Sequence, residues 1–370
     1  MKSKIETKIQ VQLLNVGKKV AVGLSGGVDS AVSAVLLKRA GFDVIGVNMK
    51  CWSNPDGSEC EADKDRKVAI QVAEHIGIPI KVWDFEKEYR EKVIEYFFEG
   101  IKKGRTPNPD IICNKEIKFG MFLNKAVKEL GVDYVATGHY ARVVEDNREF
   151  KLFKGVDETK DQSYFLYALN QFQLSKTLFP VGHLTKKEVR ELATEFDLSN
   201  KDKKDSVGIC FVGEVDIVEF LKKHIPEQTG DVKGINGDVI GDHIGVKFYT
   251  IGQRHGFNIN KYQGRPLYVV NKNIEKNELI VGDVSDVNTL QFKIENMHYI
   301  FKGAEEILEN SKVDIRIRHL GSLVSGTVVN KVVTSDKVKF QSVASGQSAV
   351  FYKGDIVLGG GVIDAEINSA

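Results

Sequence analysis

Residues 19–30 read KVAVGLSGGVDS: an apolar run that breaks into serine and glycines and then continues with apolar residues at helical spacing. Such a strand, turn and helix brings backbone N–H groups close to an anion, and the N-terminus of the helix adds a favourable electrostatic field. The alternative is an ordinary turn in which Ser25 or Asp29 caps the helix. Because the whole hexapeptide from Ser25 to Ser30 stands in a strand–turn–helix context, we interpret it as a phosphate-binding loop.

This phosphate loop follows neither of the two commonest nucleotide-binding motifs. A Walker loop requires a lysine directly after the glycines, and a dinucleotide fingerprint requires Gly-x-Gly-x-x-Gly; the sequence has neither at this position. The loop resembles instead the PP-loop of the ATP pyrophosphatase superfamily. That resemblance implies an enzyme that cleaves ATP between its α- and β-phosphates and adenylates an oxygen atom of a second substrate.

Composition and charge indicate a globular protein of several domains. The chain has 370 residues, of which 42% are hydrophobic and 28% charged, a length at which two or three domains are expected. No apolar run approaches the roughly 18 residues that a membrane helix needs, and the first residues do not resemble a secretory leader. We therefore expect a cytoplasmic protein with no membrane partner. The net charge of +1 suggests a monomer, and an RNA partner would have to use local basic groups such as Arg316 and Arg318.

The first half of the chain alternates strand-like and helix-like segments. Strands are predicted at 19–24, 43–49, 79–83 and 133–137, and helices at 62–76, 86–103, 115–130, 161–169, 185–197 and 215–224. The alternation is typical of a parallel sheet covered by helices, a Rossmann-like α/β fold of the adenine nucleotide alpha hydrolase kind. The phosphate loop follows the first strand, where ligands of such sheets usually bind.

The predicted secondary structure changes at about Gly230, where glycines and short apolar strands replace the helices. From about residue 287, short alternating strands separated by turns predict a small β-barrel. We therefore predict three domains. They are a PP-loop catalytic domain at 1–206, a small α+β or mostly β central domain at 207–285 and a C-terminal β-barrel at 286–370.

The four cysteines are too sparse for a disulfide scaffold, and none has the Cys-x-x-Cys spacing of a zinc or iron–sulfur site. We predict no metal site from them. Cys51 and Cys60 flank a polar loop and are expected to have no catalytic duty. Each of the other two cysteines, Cys113 and Cys210, is judged by its own surroundings.

Cys113 follows a segment that two prolines stiffen, and the helical pattern after it begins at about Asn114 or Lys115. A thiol beside a helix N-terminus and near a lysine should have a lowered pKa, which favours a reactive cysteine over a buried structural one. Asp110 is close in sequence and could move protons.

Cys210 allows two interpretations. Its apolar neighbours permit a core cysteine, whereas Gly208 and Gly213 suggest a bent, mobile loop at the domain boundary. Residue chemistry alone supports the two equally, and a meeting of Cys210 with Cys113 in space is a conjecture at this point.

A resemblance to one enzyme family rests on seven segments taken together: 23–30, 108–119, 137–142, 160–166, 179–182, 205–214 and 250–254. With them the chain resembles, over nearly its whole length, the bacterial tRNA-specific 2-thiouridylases, which replace O2 of the wobble uridine with sulfur. The segments around the two cysteines are the specific ones, because other PP-loop enzymes share the phosphate loop but lack this pair.

The resemblance implies which residues hold ATP, and Mg²⁺ is expected to neutralise phosphate charge during adenylation. The implied ATP-binding residues are Gly23, Leu24, Ser25, Gly26, Gly27, Val28, Asp29 and Ser30 at the phosphates, with Met49 and Gly138 lining the adenosine pocket.

The resemblance also implies how sulfur is transferred. Cys113 is the family's nucleophile and Cys210 its persulfide carrier; attack of Cys113 on the inner sulfur leaves a transient disulfide between them. The persulfide attacks C2 of uracil directly or releases sulfide that does so, and Asp110 handles the proton. The persulfide sulfur comes from a donor protein, either a sulfur-relay protein or a cysteine desulfurase.

The implied partner is tRNA. The residues implied to contact it are Asn108, Pro109 and Asp110 at the target base, and Lys160, Asp161, Gln162, Arg316 and Arg318 elsewhere. The chain departs from the family at 316–319, which read RIRH where Arg-Tyr-Arg-Gln is common, and at His255, where a lysine is usual. These departures concern the contact of the barrel with tRNA and not the chemistry.

Two other functions stay open on the sequence. A PP-loop amidotransferase or ligase that works through an acyl-adenylate would use ATP without redox thiols, so replacing Cys113 and Cys210 by serine would leave turnover intact. A nucleotide- or RNA-binding module would bind ATP yet release no pyrophosphate with any RNA. The paired cysteine segments favour the thiouridylase function over both.

Overall fold

The computed structural model describes residues 17–54, 58–205, 217–262 and 264–364. Its strands are β1 Lys19–Gly23, β2 Asp43–Lys50, β3 Ile80–Asp84, β4 Tyr134–Ala136, β5 Ala141–Asp146, β6 Glu149–Lys154, β7 Thr177–Leu178, β8 Gly230–Gly234, β9 Val239–His243, β10 Asn258–Ile259, β11 Tyr268–Asn273, β12 Glu278–Gly282, β13 Asn288–Thr289, β14 Gln291–Tyr299, β15 Val313–Arg316, β16 Val324–Val329, β17 Val332–Ser335, β18 Phe340–Gln341, β19 Ser348–Lys353 and β20 Ile356–Asp364.

The α-helices are Val28–Arg39, Glu61–Ile76, Glu86–Tyr89, Glu95–Lys102, Pro109–Ile112, Leu123–Leu130, Gln171–Ser175, Lys186–Glu195, Ile217–Lys222 and Ala304–Asn310. Two π-helical segments, Arg90–Ile94 and Cys113–Phe122, and four 3₁₀ turns, Ser163–Leu166, Pro180–His183, Val246–Phe248 and Val284–Val287, complete the helical structure described. Over these stretches of the chain, no helix has both the length and the apolar character required to cross a bilayer.

The N-terminal sheet is parallel, which confirms the predicted α/β fold. Its strand order is β3-β2-β1-β4-β7, and every neighbouring pair is parallel. The order reverses between β1 and β4, and ligands of open α/β sheets bind beyond the carboxyl ends of the strands at such a switch point. The phosphate loop follows β1 and residues 137–140 follow β4, so both lie at this point.

The helix behind the phosphate loop is firmly embedded in the core. Nearly all residues of Val28–Arg39 up to Leu37 are buried, and they share a core cluster with β1 and with the helix Lys186–Glu195. A helix that is apolar on all sides is stable only when its neighbours cover it on all sides. This packing fixes the loop that precedes the helix.

Two predicted helices differ from the structure. The pattern at 161–169 forms only the turn Ser163–Leu166, because the Asp161 carboxylate accepts the N–H groups of Gly155 and Ser163 and so fixes a non-helical backbone. The helix predicted to start at about residue 114 starts at Pro109 instead.

The C-terminal strands close into the predicted barrel. The strands β14-β17-β16-β15-β19-β20 follow one another in the sheet, and β14 also pairs with β20, which closes a ring of six strands. The hairpin β5–β6 from the first half of the chain extends this sheet through the pairing of β6 with β20. A separate sheet of order β10-β9-β8-β12-β11 lies between the two in sequence.

Candidate active site

The phosphate loop is held in shape by its own two serines. The Ser25 N–H donates to Ser30 Oγ (3.3 Å), the Ser30 hydroxyl donates to the Gly27 carbonyl (2.9 Å), and the Gly27 N–H donates to Ser25 Oγ (3.3 Å). No side chain among the described residues caps the helix that begins at Val28. The N–H groups of its first turn therefore face outward without a cap, which is the arrangement that binds phosphate.

Glycines allow the end of β4 and the end of β1 to approach their neighbours closely. A Cβ on Gly138 would lie 2.7 Å from the backbone of Asp29 and Ser30, and a Cβ on Gly23 would lie 3.2 Å from Met49 Cε. The first distance is shorter than a van der Waals contact, so a larger residue at Gly138 would push the phosphate loop away. The structure thus brings Met49 and Gly138, both predicted to line the ATP site, to the phosphate loop.

Residues near the end of the catalytic half hold the loop from outside. The amide of Asn200 donates to the Gly26 carbonyl (3.0 Å), and Lys203 reaches the same carbonyl (3.4 Å) while it pairs with Asp65. Gly26 has φ +80°, a conformation that favours glycine. Two residues from the end of the catalytic half therefore hold the carbonyl of this glycine in place.

Asp29 anchors an ion-pair network at the mouth of the phosphate loop. Its carboxylate accepts the hydroxyl of Tyr140 (2.8 Å), and its two oxygens lie 2.7 and 2.9 Å from Lys186 Nζ. Burial, and then the neighbouring carboxylate of Asp29, raise the pKa of Tyr140, so its hydroxyl stays protonated and donates. The network puts one half-buried cation, Lys186, beside the place where phosphates are expected.

Asp205 carries the network further from the loop. Its carboxylate lies 2.7 Å from the cationic groups of Lys186, Arg190 and Lys160. Burial alone would raise the pKa of Asp205, but the hydrogen bonds from Lys160 and Lys186 hold it well below its usual value. Three successive ion pairs therefore link Asp29 to Lys160, which is predicted to contact tRNA.

The predicted tRNA-contacting residues divide into two groups. Gln162 exchanges hydrogen bonds with the backbone of Tyr140, which places it beside the phosphate loop. Asp161 (1% exposed) and Arg316 (7% exposed) form a buried ion pair of 2.7 Å that joins the catalytic half to the barrel. Arg318 is exposed. The pair is a structural joint, and the contact of all these residues with tRNA stays a prediction.

Cys113 lies inside a longer helical segment, 109–130, which we call the thiol helix. The segment starts at Pro109, and Asn108 caps it by accepting the Asp110 N–H (3.1 Å). Proline suits the first helical position because its missing N–H is not needed there. The predicted position of Cys113 beside a helix N-terminus is therefore wrong: one turn lies before it, and its side chain is fully buried. Asp110, the second residue of the segment, lies in its first turn.

The thiol helix continues as the π-helical segment Cys113–Phe122, a rare form that is often found at functional sites. The ring centroid of Phe119 lies 5.8 Å from that of His139, and His139 Nδ1 lies 2.7 Å from Thr137 Oγ1. Burial, and then Lys118, hold the pKa of His139 well below its usual value, so its ring is neutral. Through His139 the thiol helix contacts the segment whose Gly138 touches the phosphate loop.

The loop 105–107, which precedes the thiol helix, is held by residues of the barrel and of the central segment. Arg105 pairs with Glu295 of β14 (2.5 Å). The carbonyl of Thr106 accepts the amide of Gln347 (2.8 Å), and its hydroxyl lies 3.2 Å from that of Thr250. The barrel and the central segment therefore fix the position of the loop in front of Asn108.

Of the remaining three cysteines, the structure describes Cys51 and Cys60 but not Cys210. Cys210 belongs to residues 206–216, which lie outside the described residues, so its role and its disulfide with Cys113 stay predictions. Cys51 and Cys60 are buried, and Cys60 Sγ lies 3.2 Å from Asp63 Oδ2. In the described ranges, no three His, Cys, Asp or Glu side chains are grouped so that they could hold a metal ion.

Sequence reasoning missed three residues of the phosphate site: Lys186, Tyr140 and Asn200. A signal existed for Lys186. It directly follows Thr185, which forms a capping box with Glu188, and a cation in the first turn of a helix opposes the helix dipole. Such a lysine indicates a nearby anion, which here is Asp29. The sequence offers no comparable signal for Asn200.

Profiles of three protein families cover most of the chain. The tRNA methyl transferase HUP domain matches residues 18–214, the tRNA methyl transferase PRC-barrel domain matches 218–283, and the aminomethyltransferase beta-barrel domain matches 289–363. The three matches follow one another in the order of the sheets described above.

Two relatives of similar length carry the same name. The tRNA-specific 2-thiouridylase MnmA of Bacillus licheniformis is 47% identical over 94% of this chain and 95% of its own length. That of Geobacillus thermodenitrificans is 45% identical over 94% of both chains. A solved structure, the U34-tRNA thiolase NcsA from Methanococcus maripaludis with its [4Fe-4S] cluster, covers 60% of this chain and 73% of its own at 22% identity; its TM-score of 0.39 supports no inference. On the family profiles and these identities, the chain belongs to the tRNA-specific 2-thiouridylase family.

Proposed function

We propose that this protein uses ATP to adenylate O2 of the wobble uridine of tRNA and then replaces that oxygen with sulfur from a cysteine persulfide. The observation that carries the proposal is the contact between two sites. The phosphate loop touches Gly138, and the next residue, His139, contacts the thiol helix that contains Cys113. In our proposal the residues that bind ATP and those that carry out the sulfur chemistry are thus neighbours in one fold.

In the first step, O2 of uracil attacks the α-phosphorus of ATP and pyrophosphate leaves. The uncapped N–H groups of the first turn of Val28–Arg39 would hold the phosphates. Lys186 would stabilise the negative charge of the departing pyrophosphate, because its ammonium already lies at the mouth of the loop. Met49 and Gly138 would line the adenosine pocket.

Mg²⁺ fits the residues at this site. In proteins it is usually held by one or two carboxylates together with substrate phosphates, and Asp29 presents a carboxylate in the first turn of the helix Val28–Arg39. Asp29 would therefore hold the ion, which supplies charge neutralisation at the phosphates when it is bound.

In the second step, sulfur replaces the adenylated oxygen and AMP leaves. In our proposal Cys113 attacks the inner sulfur of a persulfide on Cys210, which forms the disulfide between them and releases hydrosulfide; hydrosulfide then attacks C2 of the uracil. Direct attack by the persulfide is the other route. Asp110, at the N-terminus of the thiol helix, would take and return the proton.

The proposal also includes the tRNA contacts, the sulfur donor and the domain division of the protein. The tRNA would contact Asn108, Pro109, Asp110, Lys160, Gln162 and Arg318, and would expose its wobble base, which is easy to unstack in a loop. A donor protein supplies the persulfide sulfur, and the enzyme works as a cytoplasmic monomer, where its tRNA substrate is found. The three-domain division at 1–206, 207–285 and 286–370 belongs to this proposal as well.

The test is a reaction with purified protein, unmodified tRNA, ATP, Mg²⁺ and a sulfur donor. We expect AMP, pyrophosphate and a uridine in which one oxygen has become sulfur, detected by mass spectrometry of the digested tRNA. Omission of ATP should abolish the thiolated product. ATP-dependent amide formation, or binding of ATP with no pyrophosphate release on any tRNA, would contradict the proposal.

A further inference from the structure

The thiol helix contains an unusually long π-helical segment. It runs over ten residues, Cys113–Phe122, between the α-helical parts Pro109–Ile112 and Leu123–Leu130. Most π-helical structure in proteins is a single turn inserted into an α-helix, and it is often found at functional sites. A segment of this length needs contacts that favour it over the ordinary α-helix.

One such feature lies inside the segment, at Gly120. A π-helical pattern brings each residue against the carbonyl five positions before it, which for Gly120 is that of Lys115. A Cβ on Gly120 would lie 2.9 Å from this oxygen, closer than a side-chain carbon normally comes. Any larger residue at 120 would therefore press on the Lys115 carbonyl and disfavour the π-helical form.

The other feature is the side chain of Gln173, which binds the segment from outside. Its amide nitrogen donates to the carbonyls of Lys115 (3.1 Å) and Phe119 (2.9 Å), and the residue is only 8% exposed. An amide nitrogen carries two N–H groups, so it can serve two buried acceptors at once. Because the two carbonyls are four residues apart, one side chain holds a whole turn of the segment.

Gln173 is itself held in a defined position. Its side-chain oxygen accepts the Asn170 N–H (2.9 Å), and the Asn170 side chain accepts the Gln173 N–H (2.9 Å). The Thr177 hydroxyl donates to the Gln173 carbonyl (2.7 Å), and Thr177 begins β7 of the parallel sheet. The donor that reaches the thiol helix is therefore fixed with respect to the catalytic sheet.

The π-helical form sets the direction of Cys113 with respect to the ATP-binding residues. Phe119 is anchored, because its ring centroid lies 5.7 Å from that of Phe179 and 5.8 Å from that of His139. A change from π-helix to α-helix would alter the number of residues per turn between Phe119 and Cys113. The Cys113 side chain would then point in another direction, while the phosphate loop stayed in place.

We propose that Gln173 is a positioning residue for the sulfur step: its side-chain amide holds residues 113–122 in the π-helical form, and this form directs Cys113 toward its reaction partner. The inference rests on the proposed function, because it takes Cys113 as the nucleophile. Gln173 acts through Cys113 and is not proposed to touch a substrate.

The test is the variant Gln173→Glu. Glutamate keeps the size of the side chain and the oxygen that accepts the Asn170 N–H, but its carboxylate cannot donate to the two carbonyls. The maximal thiolation rate should fall by about 100-fold, the effect of a misplacement of about 1 Å. Pyrophosphate release with saturating tRNA and the KM for ATP should stay at the wild-type values. Mass spectrometry of digested tRNA measures the first quantity and a pyrophosphate assay the other two.

Gln171 provides a matched control on the same short helix. Its amide nitrogen donates to the carbonyls of Phe150 (2.8 Å) and Ile300 (2.6 Å), and its side-chain oxygen accepts the Phe150 N–H (2.9 Å). These three hydrogen bonds are of the same kind as those of the Gln173 side chain, but their partners lie outside the thiol helix. Gln171→Glu should lose about as much stability in denaturant unfolding and should keep both reactions.

Gly120→Ala tests the same form from inside the segment and serves if Gln173→Glu does not fold. Alanine favours an α-helix over glycine, so weaker helix formation could not explain a defect. We expect the same division, with thiolation lost and pyrophosphate release retained. Variants that thiolate tRNA as well as Gln171→Glu does would overturn the proposal. So would an equal loss of pyrophosphate release and thiolation, since the amide would then support the ATP site as well.

This inference and the proposed function fail in different ways. Wild-type protein that does not thiolate tRNA contradicts the proposed function itself. Wild-type protein that thiolates tRNA, with Gln173→Glu and Gln171→Glu alike, contradicts only the role of Gln173.

Discussion

The phosphate loop and the loop before the thiol helix are held in different ways. The contacts described for the phosphate loop come from the catalytic half: Ser30 lies within the loop, and Asn200 and Lys203 lie behind it. The loop at 105–107 is fixed by Glu295 of the barrel and by Thr250 of the central segment, which lies between the catalytic half and the barrel in sequence. In the described residues, the proposed nucleotide site is therefore held within one half of the chain, whereas the proposed sulfur site depends on how the parts of the chain are docked.

This difference separates the two proposed steps in a testable way. A change inside the phosphate loop should remove adenylation and everything after it. A change in the docking contacts should spare ATP binding and act on the sulfur step or on the stability of the assembled chain.

The largest effect is expected from Asp29→Asn. The amide cannot pair with Lys186 or hold a metal ion as a carboxylate does, so pyrophosphate release and thiolation should both fall by about 100-fold or more. Pyrophosphate release with saturating tRNA measures the first and mass spectrometry the second. Asp43→Asn, an exposed carboxylate at the opposite end of the sheet, is the matched control. If Asp29→Asn lost thiolation but kept normal pyrophosphate release, the phosphate loop would not act in the adenylation step as we propose.

A large effect on stability is expected from Arg316→Met. The change leaves the buried Asp161 carboxylate without its cation, which should lower the free energy of unfolding by about 3–5 kcal/mol. Denaturant unfolding measures it. Lys312→Met is the control, since Lys312 and Asp336 form an exposed pair that should contribute less than about 1 kcal/mol. Equal losses in the two variants would show that the buried Asp161–Arg316 pair contributes no more to the free energy of unfolding than an exposed pair does.

A smaller effect is expected from Thr250→Val. The change removes the hydroxyl contact with Thr106 and should cost about 1 kcal/mol of positioning, equivalent to a fivefold lower thiolation rate. The affinity for ATP should be unchanged, because no contact of the phosphate loop is touched. Thr327→Val, on β16, serves as the control. A raised dissociation constant for ATP in Thr250→Val would contradict the independence of the two loops.

The last expected effect concerns the pH dependence of stability. Burial, and then Arg142, lower the pKa of His183 to about 4, and burial lowers that of His139 as well. Below pH ~6.5 the unfolded chain binds protons at these histidines while the folded chain does not. Stability should therefore fall as the pH drops from about 6.5 through the folded-state pKa values. His183→Gln should flatten this part of the unfolding profile; an unchanged profile would show that another group titrates.

Much of the fold could be predicted because its signals are local. The phosphate loop, the parallel strands and the barrel follow from strand–turn–helix order and from alternation, which a single sequence displays. The start of the thiol helix could not be found in this way: the two prolines suggested a stiff segment before the helix, whereas Asn108 caps the helix and Pro109 is its first residue.

The contacts that join distant segments could not be predicted either. Nothing in the sequence links Asp161 to Arg316, or Asp29 to Lys186, because each pair is formed by the docking of elements far apart in the chain. The resemblance to a family supplied the residues of the site, but the structure had to show that Arg316 is a buried joint and that Arg318 is exposed.

The most direct test of the account is the variant Cys113→Ser, with pyrophosphate release and 2-thiouridine formation measured in the same reaction. Cys51→Ser, another buried cysteine, is the control. We predict that Cys113→Ser retains pyrophosphate release in the presence of tRNA but loses thiolation by at least about a thousandfold, while Cys51→Ser retains both. Full thiolation by Cys113→Ser, or loss of pyrophosphate release together with thiolation, would contradict the claim that adenylation and sulfur transfer are carried out by two adjacent, separately held sites.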